Sequence, residues 1–414
     1  MNARAHFSCL LLAFATVVSV VAQSPCERLS TSSDTAAASK ANELKTRLKD
    51  TDLSAEAAAS SPAVQQEQNE FVLATLEDSC ASGASDTVRW GTPAEVVSVP
   101  VLFATDRDGS SSGGYRGVLR TGAPIFGSAT ITVKAQGVRT DFIYGTKRVA
   151  ASTLSGKPSQ TAELSEEGFE RSLNNSTESG GHSKPILLFV HGYNVTFEDA
   201  ITSGARLALG MRLPITPVVY TWASAGSALS YLHDEDTVRV STLSFTTFLY
   251  RLLTTQKRPV IIVAHSMGAR IVTGALAELS RRNCACKALA KVVLAAPDLN
   301  VLELSAQWSA LQQFGNIKWT IYASSNDIAL ILSHIIHHYQ RVGDPRPSLF
   351  ISKGSDTVDA SAASSALDSW GHSYVVGNPM VAADIGSWVA KDLLPSARGL
   401  NQEFQGNSVY YVFP

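Results

Sequence analysis

The chain carries almost no excess of either charge and no long basic stretch. Lys and Arg number 34 against 36 Asp and Glu over 414 residues, a formal net charge of −2. A polyanion needs a concentrated cationic surface, so this balance argues against a nucleic-acid partner. Long apolar runs are equally scarce. The one that stands out, Phe7 to Val21, follows a stretch with a single cation, Arg4, and ends in Val20-Val21-Ala22-Gln23. That layout predicts a signal peptide over residues 1–22, cleaved after Ala22, and a secreted or periplasmic mature protein. The run is short for a bilayer anchor, and no later segment is apolar enough to span a membrane. Histidines with metal-ligand spacing occur at His334, His337 and His338, but no H-E-x-x-H is present, so neither a metal nor another cofactor is expected.

Cysteine is also rare. Of five, Cys9 leaves with the signal, and Cys26, Cys80, Cys284 and Cys286 allow three pairings in an oxidising compartment. A Cys26–Cys80 bridge is the favoured one, because it closes a long loop and would contribute roughly 4 kcal/mol on the loop-entropy model. Cys284 and Cys286 are two residues apart, so a direct bridge is expected to be strained, and free thiols are the equal alternative.

What is present is a large apolar fraction, 45% of residues, enough for one sizeable core. Residues 23–95 are rich in Ala, Lys, Glu and Gln, with few large anchors such as Leu44, Leu48, Phe71 and Leu76. They read as a helical hairpin, with a disordered linker as the competing reading. From Val96 strand signals begin, and from Pro185 strands and helices alternate regularly. That alternation predicts a doubly wound α/β domain over residues 96–400, with a mainly parallel sheet and helices on both faces, followed by a C-terminal tail over 401–414.

The most informative stretch is Val260-Ile261-Ile262-Val263-Ala264-His265-Ser266-Met267-Gly268. A buried strand meets a helix at Ser266, and the residues two before and two after it are small. This pattern resembles the G-x-S-x-G nucleophile elbow of α/β-hydrolases, with alanine for the first glycine; a serine-capped helix start is the plain alternative. In an open parallel sheet, sites form beyond the carboxyl ends of the strands. His191-Gly192-Tyr193-Asn194 follows the strand Ile186–Val190, and in lipases such a turn supplies an oxyanion-hole N–H. The expected donors are the N–H groups of Tyr193 and of Met267. Asp327 follows the strand Lys318–Tyr322, as an orienting acid or merely a helix N-cap, with Asp298 the alternative acid. His372 follows the last strand, Thr357–Ala360, where an imidazole can serve Ser266 as general base. His265, beside the serine, is expected to face away, and Trp222 to line the site mouth or, as the favoured reading, to pack beneath it.

Taken together, Ala104-Thr105-Asp106-Arg107, Phe189 to Asn194, Tyr220 to Gly226 with Tyr231 and Asp234, Ala264 to Gly268, Ala295 to Asp298, Ser325-Asn326-Asp327 and Gly371 to Tyr374 resemble the bacterial alpha/beta hydrolase family of unknown function, a branch of the esterase/lipase superfamily. The resemblance implies an α/β-hydrolase fold and a Ser266, Asp327, His372 triad, but no particular substrate. The chain differs in having Trp222-Ala223-Ser224 where the family has Trp-Pro-Ser. The expected activity is serine hydrolysis of a small-molecule ester or acyl substrate. The alternatives are a catalytically silent binding or envelope-associated protein, and an acyltransferase or peptidase on the same triad.

Overall fold

The computed structural model describes residues 95–110, 114–135, 158–175, 184–227, 230–315, 317–364 and 371–414. The expected signal peptide, the Cys26–Cys80 bridge and, apart from Glu95, the helical hairpin lie outside the described residues.

In chain order, β1 (Glu95–Thr105), β2 (Arg107–Gly109), β3 (Tyr115–Leu119), β4 (Ile125–Ala135) and β5 (Ser159–Leu164) precede α1 (Glu166–Asn175). Regular alternation then sets in with β6 (Ile186–Val190), α2 (Phe197–Gly210), β7 (Thr216–Thr221), α3 (Tyr231–Thr255), β8 (Val260–His265), α4 (Gly268–Arg281), β9 (Leu289–Ala295), α5 (Val301–Leu311), β10 (Lys318–Ala323) and α6 (Ile328–His337). The chain closes with β11 (Ser355–Asp359), the short helices α7 (Ser361–Ser364) and α8 (Tyr374–Gly377), α9 (Pro379–Lys391), β12 (Asn401–Gln405) and β13 (Ser408–Val412). The 11-stranded sheet has the order β12-β13-β11-β10-β9-β8-β6-β7-β1-β4-β5. It runs parallel from β13 through β1 and turns antiparallel at both margins.

Strands covered on both faces have no polar side to show, which is why β6, β7 and β8 are buried at every residue. Successive side chains still alternate between the faces. Ile186, Leu188 and Val190 join Phe245, Leu249, Ile271 and Leu276 from α3 and α4 in one core. Leu187 and Phe189 join Ile201 and Ala205 of α2 and Ile385 and Trp388 of α9 in the other. The register aligns the carboxyl ends: Val190 lies beside Tyr220 and Ala264, His265 beside Ala295, and Ala323 beside Asp359. The residues that follow these ends therefore share one edge.

Four features correct or add to the sequence reading. The stretch 401–414 is not a free tail: β12 and β13 form a hairpin around Gly406, whose φ is 60°, and β13 pairs with β11. The glycine-rich region between Asp106 and Gly127 holds the β2–β3 hairpin, and the polar stretch before α1 holds β5. β5 and β12 are solvated strands whose polar composition gives no unbroken apolar run. Finally, Cys284 and Cys286 are bridged, because the turn between α4 and β9 brings their Cα atoms to 5.2 Å, within the usual disulfide range.

Helix α9 approaches the end of α2 so closely that a Cβ on Gly386 would lie 1.8 Å from the Met211 carbonyl oxygen. Gly386→Ala should therefore cost about 1–3 kcal/mol of stability, as overpacking does, read as a lower urea midpoint. An unchanged midpoint would contradict the close packing of these helices.

Candidate active site

Ser266 follows β8 directly and has φ 53°, a left-handed conformation that a non-glycine residue adopts only under constraint. Its N–H donates to the Ala295 carbonyl at 2.9 Å, and its own carbonyl accepts from the Ala269 N–H at 3.0 Å. The chain therefore leaves the sheet hydrogen-bonded and enters α4 within one turn. Small neighbours are required on both sides. A Cβ on Gly268 would sit 2.4 Å from the His191 carbonyl oxygen, and one on Gly192 would sit 2.7 Å from the Ser266 Cβ and 3.2 Å from its Oγ. The β6–α2 turn is thus pressed against the serine side chain.

That turn is held from beneath. The Trp222 indole is fully buried, stacks on the His191 ring at 5.2 Å between centroids, and donates through Nε1 to the His191 carbonyl at 2.8 Å. Burial pushes the His191 imidazole well below its ordinary pKa, so it is neutral, and Nδ1 lies 2.7 Å from the Gly192 carbonyl oxygen. With Nδ1 carrying the proton, His191 fixes the plane of the Gly192–Tyr193 peptide. Because that peptide is trans, the Tyr193 N–H points away from the carbonyl that His191 holds. Met267, fully buried, sits at the N-terminal end of α4, where helix N–H groups lack intrahelical acceptors.

At the end of β10, Asp327 is fully buried and uses its two carboxylate oxygens differently. Oδ1 accepts from the Leu330 N–H at 3.1 Å, which caps α6, and Oδ2 lies 2.7 Å from His372 Nδ1. The N-cap and the histidine partner are therefore one residue performing both roles. His372 is brought over the sheet edge by Gly371, whose φ is 61° and whose Cβ position is occupied by the Asn326 carbonyl, 2.2 Å away. His265 does not face away from this group. Its Nε2 lies 3.0 Å from the His372 carbonyl oxygen, and the two rings are 4.7 Å apart. The expectation that it faces away fails because His265 is the last residue of β8 and its ring meets the loop that carries His372.

With this geometry in hand, the family comparison decides the identity. The model of the alpha/beta hydrolases of unknown function (DUF900) matches residues 165–387, more than half of the chain. The chain belongs to this family. No curated protein matches it.

In this alpha/beta hydrolase the carboxylate of the alternative acid, Asp298, is taken up by other partners. Its Oδ2 accepts from Tyr231 at 2.7 Å and from Arg270 Nη2 at 3.0 Å, and its Oδ1 accepts from Ser333 at 2.6 Å. Burial alone would raise its pKa, yet Arg270 and Arg341, with the two hydroxyls, outweigh burial and hold it well below the usual carboxylate range. His337 pairs with Glu235 at 2.7 Å, and His334 lies 4.0 Å from Asp344. Among the described residues no group of three His, Cys, Asp or Glu side chains is arranged for a metal, and no helix is long and apolar enough to cross a membrane.

Supporting residues to which the sequence assigned no role lace the loops together. Arg107, buried, donates to the Thr221 hydroxyl at 2.8 Å and to the Ser224 and Val195 carbonyls at 2.8 and 2.7 Å. Burial lowers its pKa to about 10. Asp234 accepts from Ser224 Oγ at 2.6 Å and from the Ala225 N–H at 2.8 Å. Both lie within the stretches that carried the family resemblance, which was the available signal; the partners of Arg107, 88 to 117 residues away, were not readable from spacing.

A neutral buried His191 has a stability consequence. Below about 6.5, its ordinary pKa, the unfolded chain binds a proton that the folded chain refuses, so stability falls as the pH drops. The contribution reaches about 1.4 kcal/mol per pH unit and ends only where the folded ring also protonates. Urea unfolding between pH 7.5 and 5 should therefore be steeper in pH for the wild type than for His191→Gln. Parallel curves would contradict the assignment.

Proposed function

We propose that this alpha/beta hydrolase is a secreted or periplasmic serine hydrolase that cleaves small-molecule carboxylic esters through an acyl-Ser266 intermediate. The observation that carries this reading is the 2.7 Å contact between His372 Nδ1 and Asp327, on the sheet edge where Ser266 holds its left-handed turn. With Asp327 accepting the Nδ1 proton, the imidazole lone pair lies on Nε2, the tautomer that a general base requires. In the first half-reaction His372 takes the Ser266 hydroxyl proton as Oγ adds to the ester carbonyl carbon. The oxygen that gains the charge is met by the N–H groups of Tyr193 and Met267, each such donor lowering the barrier by roughly 3–4 kcal/mol. Collapse breaks the carbon–oxygen bond, and His372 returns the proton to the departing alcohol. Water then repeats the sequence on the acyl-serine, releasing the acid and restoring Ser266.

Residues 1–22 are proposed to be removed on export, leaving Gln23 as the mature N-terminus. The hydrolase unit is taken to begin near Val96. The β12–β13 hairpin supports extending it to the last residues of the chain.

Ser266→Ala should reduce turnover of p-nitrophenyl acetate and butyrate by about 10⁶-fold, and Asp327→Asn by about 10⁴-fold, with stability little changed. Asp298→Asn should not behave like Asp327→Asn. Equal turnover by the wild type and Ser266→Ala would reject the reading.

A further inference from the structure

The left-handed turn at Ser266 needs more than its local bonds. A strained backbone persists only where the surroundings over-determine it. The Ser266 carbonyl accepts a second hydrogen bond, from the Asp298 N–H at 3.2 Å, across from the neighbouring strand end. Asp298 is in turn gripped at two points by one side chain. Arg270 donates through Nε to the Asp298 carbonyl at 2.6 Å and through Nη2 to its carboxylate at 3.0 Å. Arg270 stands four residues beyond Ser266, in the first turn of α4, and its own N–H donates to the Met267 carbonyl at 3.1 Å. A closed ring results: Ser266 to Asp298 by hydrogen bond, Asp298 to Arg270 by two more, and Arg270 back to Ser266 along the chain.

The ring also reaches the other proposed oxyanion donor. Tyr231, whose hydroxyl donates to the Asp298 carboxylate, sets its ring edge-on to Tyr193 at 5.2 Å. Arg270 is itself steadied by Glu235 at 2.5 Å, which His337 meets from α6 at 2.7 Å. A buried ion pair is a poor device for stability alone, since its desolvation cost rivals its attraction. Its strength lies in fixing geometry.

We propose that Arg270 and Asp298 act as a positioning clamp that sets the orientation of Ser266 and of the Tyr193 and Met267 N–H groups for acyl transfer. They are positioning residues, since neither touches the reacting atoms. The inference rests on the serine-hydrolase reading. Misplacement of reacting groups by about 1 Å costs on the order of 100-fold in rate, which sets the expected scale.

The test compares the full chain with Arg270→Met, Arg270→Lys and Asp298→Asn. Two kinetic quantities are measured beside thermal unfolding: kcat and KM on p-nitrophenyl acetate, and the rate of Ser266 phosphonylation by a fluorophosphonate probe. Arg270→Met should lower kcat and the phosphonylation rate together by about 30- to 100-fold with KM changed by less than about threefold. Arg270→Lys, which keeps the charge beside the carboxylate, should recover about tenfold of that loss. Asp298→Asn should fall between them, with the pH profile of kcat unmoved because the His372–Asp327 pair is intact. If Arg270→Met does not fold, the lysine variant carries the test, with a predicted loss of about 3- to 10-fold. Folded variants with lowered thermal midpoints but both rates within about twofold of the wild type would overturn the clamp and leave the hydrolase reading standing. A wild type that neither turns over ester nor reacts with the probe sinks the hydrolase reading, and the clamp with it.

Discussion

A single backbone conformation governs this edge of the molecule: the positive φ of Ser266 between a strand and a helix. A left-handed non-glycine residue costs on the order of 1–2 kcal/mol, and it lifts the side chain out of the sheet that would otherwise bury it. Everything around it is shaped to that requirement. Gly268 lets α4 begin against the His191 carbonyl, and Gly192 lets the neighbouring turn close over the serine. Larger side chains at either glycine would collide with backbone or with Ser266 itself.

Around that turn, the strand-end loops are fastened by buried charged groups as well as by the stacking of Trp222 on His191. Arg107 joins the ends of β1 and β7 to the loop before α2, Asp234 draws the start of α3 to the same loops, and Asp298 joins β9 to α4 through Arg270. Loops carry backbone carbonyls and N–H groups that no ladder satisfies, and a guanidinium or carboxylate can serve several at once. The arrangement is costly to desolvate, yet it gives each loop one position. That suits a site in which distances matter more than added stability.

The sheet was legible from Pro185 onward because buried parallel strands are unbroken apolar runs, and the family match covers this same region. Its margins were not legible. Ser-Gln-Thr-Ala-Glu-Leu of β5 and Asn-Gln-Glu-Phe-Gln of β12 are solvated edge strands whose polarity mimics loops. At the candidate site, strand order and strand ends pointed to Ser266, Asp327 and His372 from the sequence. The choice between Asp327 and Asp298 could not be closed that way, since both follow a strand end. What separates them is Arg270, 28 residues before Asp298, which occupies one carboxylate while the other is left to His372. The reach of His265 to the His372 carbonyl was hidden for a similar reason, since 107 residues separate the pair.

If the strained turn makes Ser266 a nucleophile, a covalent intermediate is its most direct witness. The full-length protein would be mixed with p-nitrophenyl butyrate, quenched in acid before deacylation is complete, digested and examined by mass spectrometry. A butyryl adduct on the peptide containing Ser266, missing from Ser266→Ala, is the predicted result. Ester turnover without an adduct on that peptide, or with the acyl group on another residue, would contradict it.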